Sequence, residues 1–227
     1  MRQLMAALVV ACICMLTAGC GSIGHHAHKK PTPTTTTPTA PPVAENALDG
    51  LFLNPDQVNA AMGANGMTVT KTHAAMSDDS ATMEPKECLA IDGSAQAHVY
   101  AGSNFMAERD QTLQGGDNLT LFAEQAVVLF PSAKQADAFF TASAQQWPAC
   151  HQYTRIQSKT RWTVGAISNT NGTLSTTATQ QNANGPGWGC GRALAARNNV
   201  VIDVTTCSAN PADAVTIANW IAAKVPI

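Results

Sequence analysis

A pair of cysteines around a two-asparagine centre constrains the fold of this chain more than any other feature. The stretch is CGRALAARNNVVIDVTTC, which runs from Cys190 to Cys207. Asn198-Asn199 suits a two-residue hairpin loop, because Asn tolerates positive φ. Such a loop places Cys190 directly opposite Cys207 at a non-hydrogen-bonded position, where Cα atoms are about 4.5 Å apart. That separation is near the lower end of the disulfide range, so the sequence predicts a hairpin closed by Cys190–Cys207.

The first twenty residues predict export and anchoring. Arg2 precedes an apolar stretch from Leu4 to Leu16, which is shorter than the roughly 20 residues that a membrane-spanning helix needs. A positive start, a short apolar core and small residues at its end are typical of a secretory signal, here residues 1–19. The closing residues LTAGC resemble the bacterial lipobox, which implies cleavage before Cys20, a diacylglyceryl thioether on its sulfur and an acylated amino terminus. Since two or more acyl chains anchor a protein stably, we expect a lipoprotein on the extracytoplasmic face of the cell membrane.

Cleavage of this signal and lipidation leave four cysteines for the folded part: Cys88, Cys150, Cys190 and Cys207. An even number in an exported chain predicts two disulfides, for which three pairings exist. The hairpin register selects Cys190–Cys207, and elimination then pairs Cys88 with Cys150. The sequence has no C-x-x-C spacing and no accompanying His pattern, so we expect neither a metal nor a cofactor.

Residues 20–45 are predicted to form a tether. The stretch KKPTPTTTTPTAPP lacks apolar periodicity and favours extended chain, which at about 3.1 Å per residue reaches roughly 80 Å. Its Thr and Pro content also makes it a candidate for O-glycosylation. His25, His26 and His28 precede two lysines, and a basic spacer near anionic head groups is favoured over a metal-binding tract. Residues 46–227 are then predicted to form one domain.

Three helices are predicted in that domain. The first begins at the cap Asn54, which Pro55 follows. The second begins at Ser132 and ends before Pro148, with Phe139, Phe140 and Trp147 among the residues of one face. The third opens at Asn210-Pro211 and presents its apolar face at Ala214, Ile217, Ala218, Ile221 and Val225.

Between the helices the apolar pattern has a period of two. The stretches GMTVTKT, LTLFAEQAVVLF, QYTRIQSKTRWTVGAIS and GTLSTTATQ are predicted strands, rich in Thr, Val and aromatic residues. Successive strands with short turns favour an antiparallel sheet. We therefore predict an α+β single domain, in which an antiparallel sheet packs against about three helices and carries two disulfides.

The ordered set of motifs resembles a known family. The stretches EQAVVLFPSAKQADAFFTASAQQWPAC, WTVGAIS, GCGRALAARNNVVIDVTTC and AVTIANWIAAKVP are similar to the PknH-like extracellular sensor domain, and the similarity covers most of residues 46–227. This domain lies outside the membrane on an actinobacterial serine/threonine kinase and recurs in standalone lipoproteins. The resemblance implies an α/β domain with two disulfides and a ligand-binding cleft. The sequence lacks the Gly-rich loop and catalytic-loop Asp of a kinase, so the kinase role itself is not carried over.

Several classes of function are disfavoured by composition and motifs. The chain has 13 basic and 15 acidic residues, which offers no basic face for nucleic acid. His151 beside Cys150 is not interpreted as a catalytic pair, because the cysteine is needed for a disulfide. The acidic stretch SDDSATMEPKE is interpreted as a solvated loop, and GPGWGCG as a flexible lead-in to a strand. No hydrolase or zinc motif is present, so we expect no enzymatic activity.

Two functions remain. The first is a tethered sensory module that binds a small polar or glycan-like ligand, or an envelope protein, in a cleft beside the sheet. Aromatic and Arg side chains dominate recognition, so the candidate contact residues are Trp147, Arg155, Arg161, Trp162, Trp188 and Arg192. Trp147 also belongs to a helix face that favours the core. The alternative is a carrier of lipid or other hydrophobic cargo, for which a chain with 5% aromatic residues offers modest material.

Overall fold

The computed structural model describes residues 40–116, 120–183 and 188–227. The predicted signal, the lipidation site Cys20 and the tether up to residue 39 lie outside the described residues. Among the helices of the described ranges, none combines the length and apolar character that crossing a membrane requires.

In these described ranges, ten antiparallel strands form one sheet. In chain order they are β1 (Thr68–His73), β2 (Met83–Glu84), β3 (Ala107–Gly115), β4 (Leu121–Leu129), β5 (Gln152–Arg155), β6 (Thr160–Val164), β7 (Ser168–Thr170), β8 (Thr173–Gln180), β9 (Gly189–Arg197) and β10 (Val200–Ser208). Their order across the sheet is β1-β3-β4-β10-β9-β8-β6-β5-β2, and β7 pairs with β8. The long central strands β4, β10 and β9 therefore lie far from both edges.

Five α-helices accompany the sheet in the part of the chain that the structure describes. They are α1 (Pro55–Ala61), α2 (Leu89–Asp92), α3 (Ala97–Tyr100), α4 (Ala133–Gln146) and α5 (Asp213–Ala222). Short 3-10 helices lie at Glu45–Ala47, Asp49–Leu51, Lys86–Cys88 and Trp147–Ala149. The expected α+β fold is confirmed, and its three predicted helices correspond to α1, α4 and α5.

Each face of the sheet carries its own apolar core. Along β10, Ile202 and its alternate neighbours pack with α1 and α5, whereas Val201 packs on the other side with Phe130 and Trp147. Because both faces of these central strands are buried, the sequences VVIDV and AVVLF are nearly continuous apolar runs and do not alternate between apolar and polar residues.

The predicted hairpin is present in the expected register. Arg197 pairs with Val200 and Cys190 with Cys207, whose Cα atoms are 4.0 Å apart. Of the two loop asparagines, Asn198 alone has positive φ, at 48°. Asn199 has a different role, because its buried side-chain amide accepts from Val43 N and donates to Val43 O and Phe130 O. The second Asn thus binds the chain entering the domain to the centre of the sheet.

Helix boundaries follow their capping signals, with one shift. The side chain of Asn54 accepts from Gln57 N, and Ser132 accepts in the same way from Gln135 N. The third helix begins at Asp213 rather than at Asn210-Pro211, because Asn210 makes a turn and donates its side-chain amide to Asp213.

The glycines around Cys190 are required by close packing. A Cβ at Gly189 would approach Ala178 O to 2.8 Å, and one at Gly191 would collide with Pro211 O. The flexible lead-in predicted for GPGWGCG is therefore wrong for these two residues, since both lie in β9. Residues 184–187 of that motif are outside the described residues.

The connection between β1 and β3 crosses the whole sheet. β1 pairs with β3 near one edge, but β2, which lies between them in sequence, pairs with β5 at the opposite edge. We call residues 74–106 the cross-sheet segment. It includes α2 and α3 and packs on the same face of the sheet as α4.

Candidate functional site

A groove runs between α4 and the cross-sheet segment. It consists of two adjoining cavities of about 530 Å³ and about 430 Å³, which share Val99 and Gln146. The larger cavity is lined by Lys86, Glu87, Ala90, His98, Val99, Gln145, Gln146 and Ala149. The smaller is lined by Val99, Ala101, Gly102, Ser103, Asn104, Gln135, Ala138, Phe139, Ala142, Ser143 and Gln146. We call the two together the α4 groove.

Small residues make the groove wide enough to hold a ligand. Ala138 and Ala142 lie one helical turn apart on the exposed side of α4, and Ala101 and Gly102 form the wall opposite. Beneath them the Tyr100 ring stacks on Phe139, with ring centroids 4.2 Å apart. This aromatic pair fixes the separation of the two walls at the smaller cavity.

A disulfide and a buried arginine fix the walls at the larger cavity. Cys88, at the start of α2, is bonded to Cys150, just beyond α4. Arg192 on β9 donates from Nε and Nη2 to Ala90 O at 3.1 and 3.0 Å. Its guanidinium lies 5.4 Å from the centre of the Trp147 ring, so one side chain holds both the segment and the end of α4.

The chemistry of the groove suits a polar ligand with a small apolar part. Side-chain amides are present at Gln135, Gln145 and Gln146, and they can donate to and accept from hydroxyl or amide groups. Lys86 and Glu87 add one charge of each sign at the larger cavity. Within the described ranges, no group of three or more His, Cys, Asp or Glu side chains is placed to bind a metal ion.

Arg155 lies in a separate, more polar pocket. This cavity of about 310 Å³ is lined by Asp79, Thr82, Asp92, Arg155, Gln157 and Ser158. Arg155 Nε is 2.8 Å from Asp92 Oδ1, and the guanidinium lies 5.7 Å from the centre of the Trp162 ring. Burial lowers the pKa of Arg155, but the charge and the hydrogen bond of Asp92 together raise this pKa by more, so the guanidinium stays protonated. Arg155 thus combines a polar cavity, an ion pair and an aromatic contact.

Arg161 and Trp188 are also accessible, but not at the groove. Arg161 lines a cavity of about 270 Å³ together with Glu84 and Tyr153. Trp188 is half-buried, and its indole N–H donates to Thr120 O at 3.3 Å. The predicted contact residues are thus distributed over several surfaces rather than gathered in one cleft.

The other three predicted contact residues are buried. Trp147, Trp162 and Arg192 are 2%, 3% and 3% exposed, which leaves them almost no surface to offer a ligand. Trp162 packs between Tyr153 and Trp188, with ring centroids 6.0 and 5.8 Å away. These three side chains therefore cannot contact a ligand directly. They pack beneath the surface and support the residues above them.

Sequence reasoning missed the residues that line the groove. The exposed positions of α4 are readable from its period, since they face away from the stripe of Ala136 and Ser143. Nothing in the sequence indicated that residues 97–104 would lie opposite them. That placement depends on the path of the cross-sheet segment.

Sheet, groove and disulfides together define an α+β domain that presents a grooved face, with both disulfides packed in the core beneath that face. Such a construction is that of an extracellular, disulfide-stabilised domain.

The chain belongs to the PknH-like extracellular domain family, whose model matches residues 43–224. The serine/threonine-protein kinases PknH of Mycobacterium bovis and Mycobacterium tuberculosis are each 37% identical to it over 171 residues, or 73% of this chain. The chain spans only 28% and 27% of the length of these two relatives. The crystal structure of the extracellular domain of PknH from Mycobacterium tuberculosis matches with a TM-score of 0.75 and 35% identity, covering 81% of this chain and 97% of that chain. The resemblance inferred from the motifs is confirmed.

Proposed function

We propose that this chain is a lipid-anchored, extracytoplasmic binding module whose α4 groove holds a small polar or glycan-like ligand. It acts without chemistry of its own. Through its tether it presents the groove to the cell envelope.

The observation that carries the proposal is the construction of the α4 groove. Its two cavities are of the size of small-molecule sites. Their walls are fixed by a disulfide, an aromatic stack and the buried Arg192, so the groove is formed before a ligand arrives. Preformed walls lower the entropic cost of binding.

The lining supports the ligand class. Three glutamine amides and the Asn104 amide suit the hydroxyl and acetamido groups of envelope sugars, whereas Val99 and Phe139 offer a small apolar surface for a ring face. A lipid carrier would instead need an enclosed cavity without these polar groups, whereas Lys86 and Glu87 add charges to the larger cavity. The LTAGC sequence supports the anchor, since the expected acylation at Cys20 holds the module at the membrane.

A groove-filling substitution tests the proposal. The wild-type protein is screened by thermal shift against N-acetylglucosamine oligomers, muramyl peptides and, as the alternative cargo, phospholipid. We expect a sugar or muramyl probe to raise the unfolding temperature, and Ala142→Trp to abolish that rise because the indole occupies the smaller cavity. A probe at 100 times its Kd adds about 2.7 kcal/mol of stability.

Thr141→Trp provides the matched control. Thr141 is exposed on α4 next to Ala142 but does not line the groove, so the indole there leaves it open. Stabilisation by the sugar probes that survives Ala142→Trp, or a response to phospholipid alone, contradicts the proposal.

A further inference from the structure

Four carboxylic acids lie together beneath the cross-sheet segment. Glu108 and Asp110 on β3, Glu124 on β4 and Asp203 on β10 all face the side of the sheet that the segment covers. Asp110 and Asp203 flank Ala126 from its two neighbouring strands, and the small Ala side chain leaves room between them. We call these four residues the acidic cluster. Glu108, Asp110 and Asp203 are only 2–3% exposed.

Asp203 connects the cluster to the groove wall. Its Oδ2 accepts from the Tyr100 hydroxyl at 2.9 Å and from Ala95 N at 3.0 Å. Tyr100 is the residue that stacks on Phe139 of α4, and it immediately precedes the groove-lining residues 101–104. The position of that wall therefore depends on the Asp203 carboxylate.

The acidic cluster has fewer basic partners than carboxyl groups. Arg192 Nη1 lies 2.7 Å from Asp203 Oδ1, and His73 on β1 lies 2.9 Å from Asp110. Arg109, the neighbour of Glu108, is directed to Glu45 instead. Full ionisation would thus place four negative charges beside one buried guanidinium.

Glu108 shows the consequence of this imbalance most clearly. Both of its carboxyl oxygens are buried without a hydrogen-bond partner. Burial, and next the Asp110 carboxylate, raise the pKa of Glu108 to about 8. Burial, and next Asp110 and Asp203, raise the pKa of Glu124 to about 8. In the closed structure both groups are neutral at pH 6.

The segment above the cluster is strained where it is held. Ala95 has φ 46°, which is unfavourable for a residue with a Cβ, and its N–H is the one bound by Asp203. A strained residue persists only while its surroundings hold it. Weakening the contact with Asp203 therefore favours movement of residues 94–100 away from the sheet.

We propose that the acidic cluster is a proton-dependent latch that keeps the cross-sheet segment closed against α4 and so regulates the α4 groove. The biological purpose of the latch rests on the proposed function, but the segment moves with pH whether or not a ligand is present. While Glu108 and Glu124 are protonated, Asp203 retains Tyr100 and Ala95. When Glu108 and Glu124 ionise, they repel the neighbouring Asp carboxylates, and their buried charges are costly. Movement of the segment away from the sheet lets water reach these carboxylates and relieves both costs.

The direction follows from proton linkage. Carboxyls that ionise only near pH 8 in the closed state return to ordinary values near 4.5 once water reaches them, so opening releases protons between these two pH values. Each proton released multiplies the opening constant by about ten per pH unit. Opening of the segment therefore increases as pH rises, and acid favours the closed segment, in which the α4 groove is formed.

Hydrogen exchange of the full-length protein in detergent, without ligand, tests the latch. Exchange of the Ala95 amide, which is bonded to Asp203 across the latch, is corrected for the intrinsic effect of pH and measured at pH 6, 7 and 8. We expect a rise of about tenfold or more per pH unit in wild type. Glu108→Gln with Glu124→Gln, which cannot ionise, should remove the dependence on pH. Asp203→Asn should raise exchange at every pH.

Two controls separate the latch from general loosening. Glu84→Gln changes an exposed carboxyl outside the cluster and should leave the pH dependence intact. Amides of β9 should stay protected in every variant. Exchange at Ala95 that is independent of pH in wild type, or equally pH-dependent in the double variant, overturns the latch. Sugar-probe binding without such dependence overturns the latch alone and leaves the proposed function in place.

Discussion

Arg192 and Asp203 form an ion pair of 2.7 Å between side chains that are each 3% exposed. Both belong to the central hairpin, on strands β9 and β10. Arg192 also donates to Ala90 O and Val204 O, while Asp203 accepts from Tyr100 and Ala95. The pair therefore joins the buried central strands to the wall of the groove.

Arg192→Met should destabilise the protein strongly. It leaves the buried Asp203 without its cation and two backbone carbonyls without donors, and breaking a buried pair in this way costs about 3–5 kcal/mol. Urea unfolding measures the loss. Arg197→Met, at an exposed position on the same strand, should change stability by less than about 0.5 kcal/mol. Equal effects of the two substitutions would contradict the supporting role of Arg192.

The two disulfides should contribute unequally to stability. Cys88–Cys150 spans 62 residues and Cys190–Cys207 spans 17, so loop closure predicts about 4 and about 3 kcal/mol. The paired variants C88A/C150A and C190A/C207A, compared by urea unfolding, should follow this order. Non-reducing peptide mapping verifies the connectivity, and a peptide joining Cys88 to Cys190 or Cys207 would refute it.

Stability should decrease as pH rises from about 4.5 to about 8. The pKa values of Glu108 and Glu124 are raised to about 8 in the folded state, so their protonated forms stabilise it fully below about 4.5. That contribution is lost as pH rises through 8. Thermal unfolding should give a midpoint several degrees higher at pH 5.5 than at pH 8.5. The variant E108Q/E124Q should show a flatter profile, and an unchanged slope would exclude these carboxyls as its source.

Cys20→Ala should release the protein from the membrane fraction or leave the signal attached. The expected lipidation requires the thiol at this position, and a signal with only 13 apolar residues does not span a bilayer. Fractionation and mass spectrometry of the amino terminus report the outcome. Cys14→Ala, inside the apolar stretch, serves as the control and should remain anchored. Membrane retention of correctly cleaved Cys20→Ala protein would exclude the anchor.

Local chemistry allowed much of the fold to be predicted. The register of the central hairpin follows from one turn, since the residues on either side of Asn198-Asn199 can pair in only one way once the loop has two residues. The starts of α1 and α4 follow from caps within three residues of each other. These features depend on short sequence separations, which a linear pattern expresses fully.

Strand β3 was not predicted, and its pattern explains why. In AERDQTLQG the residues Glu108, Asp110 and Thr112 are buried, although their polarity predicts a solvent-facing side. They are covered by the cross-sheet segment, whose path to the opposite edge of the sheet and back is not indicated by any local pattern. Alternation reveals a strand only when its buried face is apolar.

The sequence by itself determined the hairpin, the pairing of the four cysteines, the caps and the family. Only the tertiary structure decided which polar and aromatic side chains are accessible. Arg192 and Trp162 have the chemistry of contact residues, yet contacts across many strands bury them. The groove arises from residues about 40 positions apart, such as Gly102 and Ala142, brought together by a disulfide and by Asp203. Burial is a property of the assembled sheet, and no local pattern contains it.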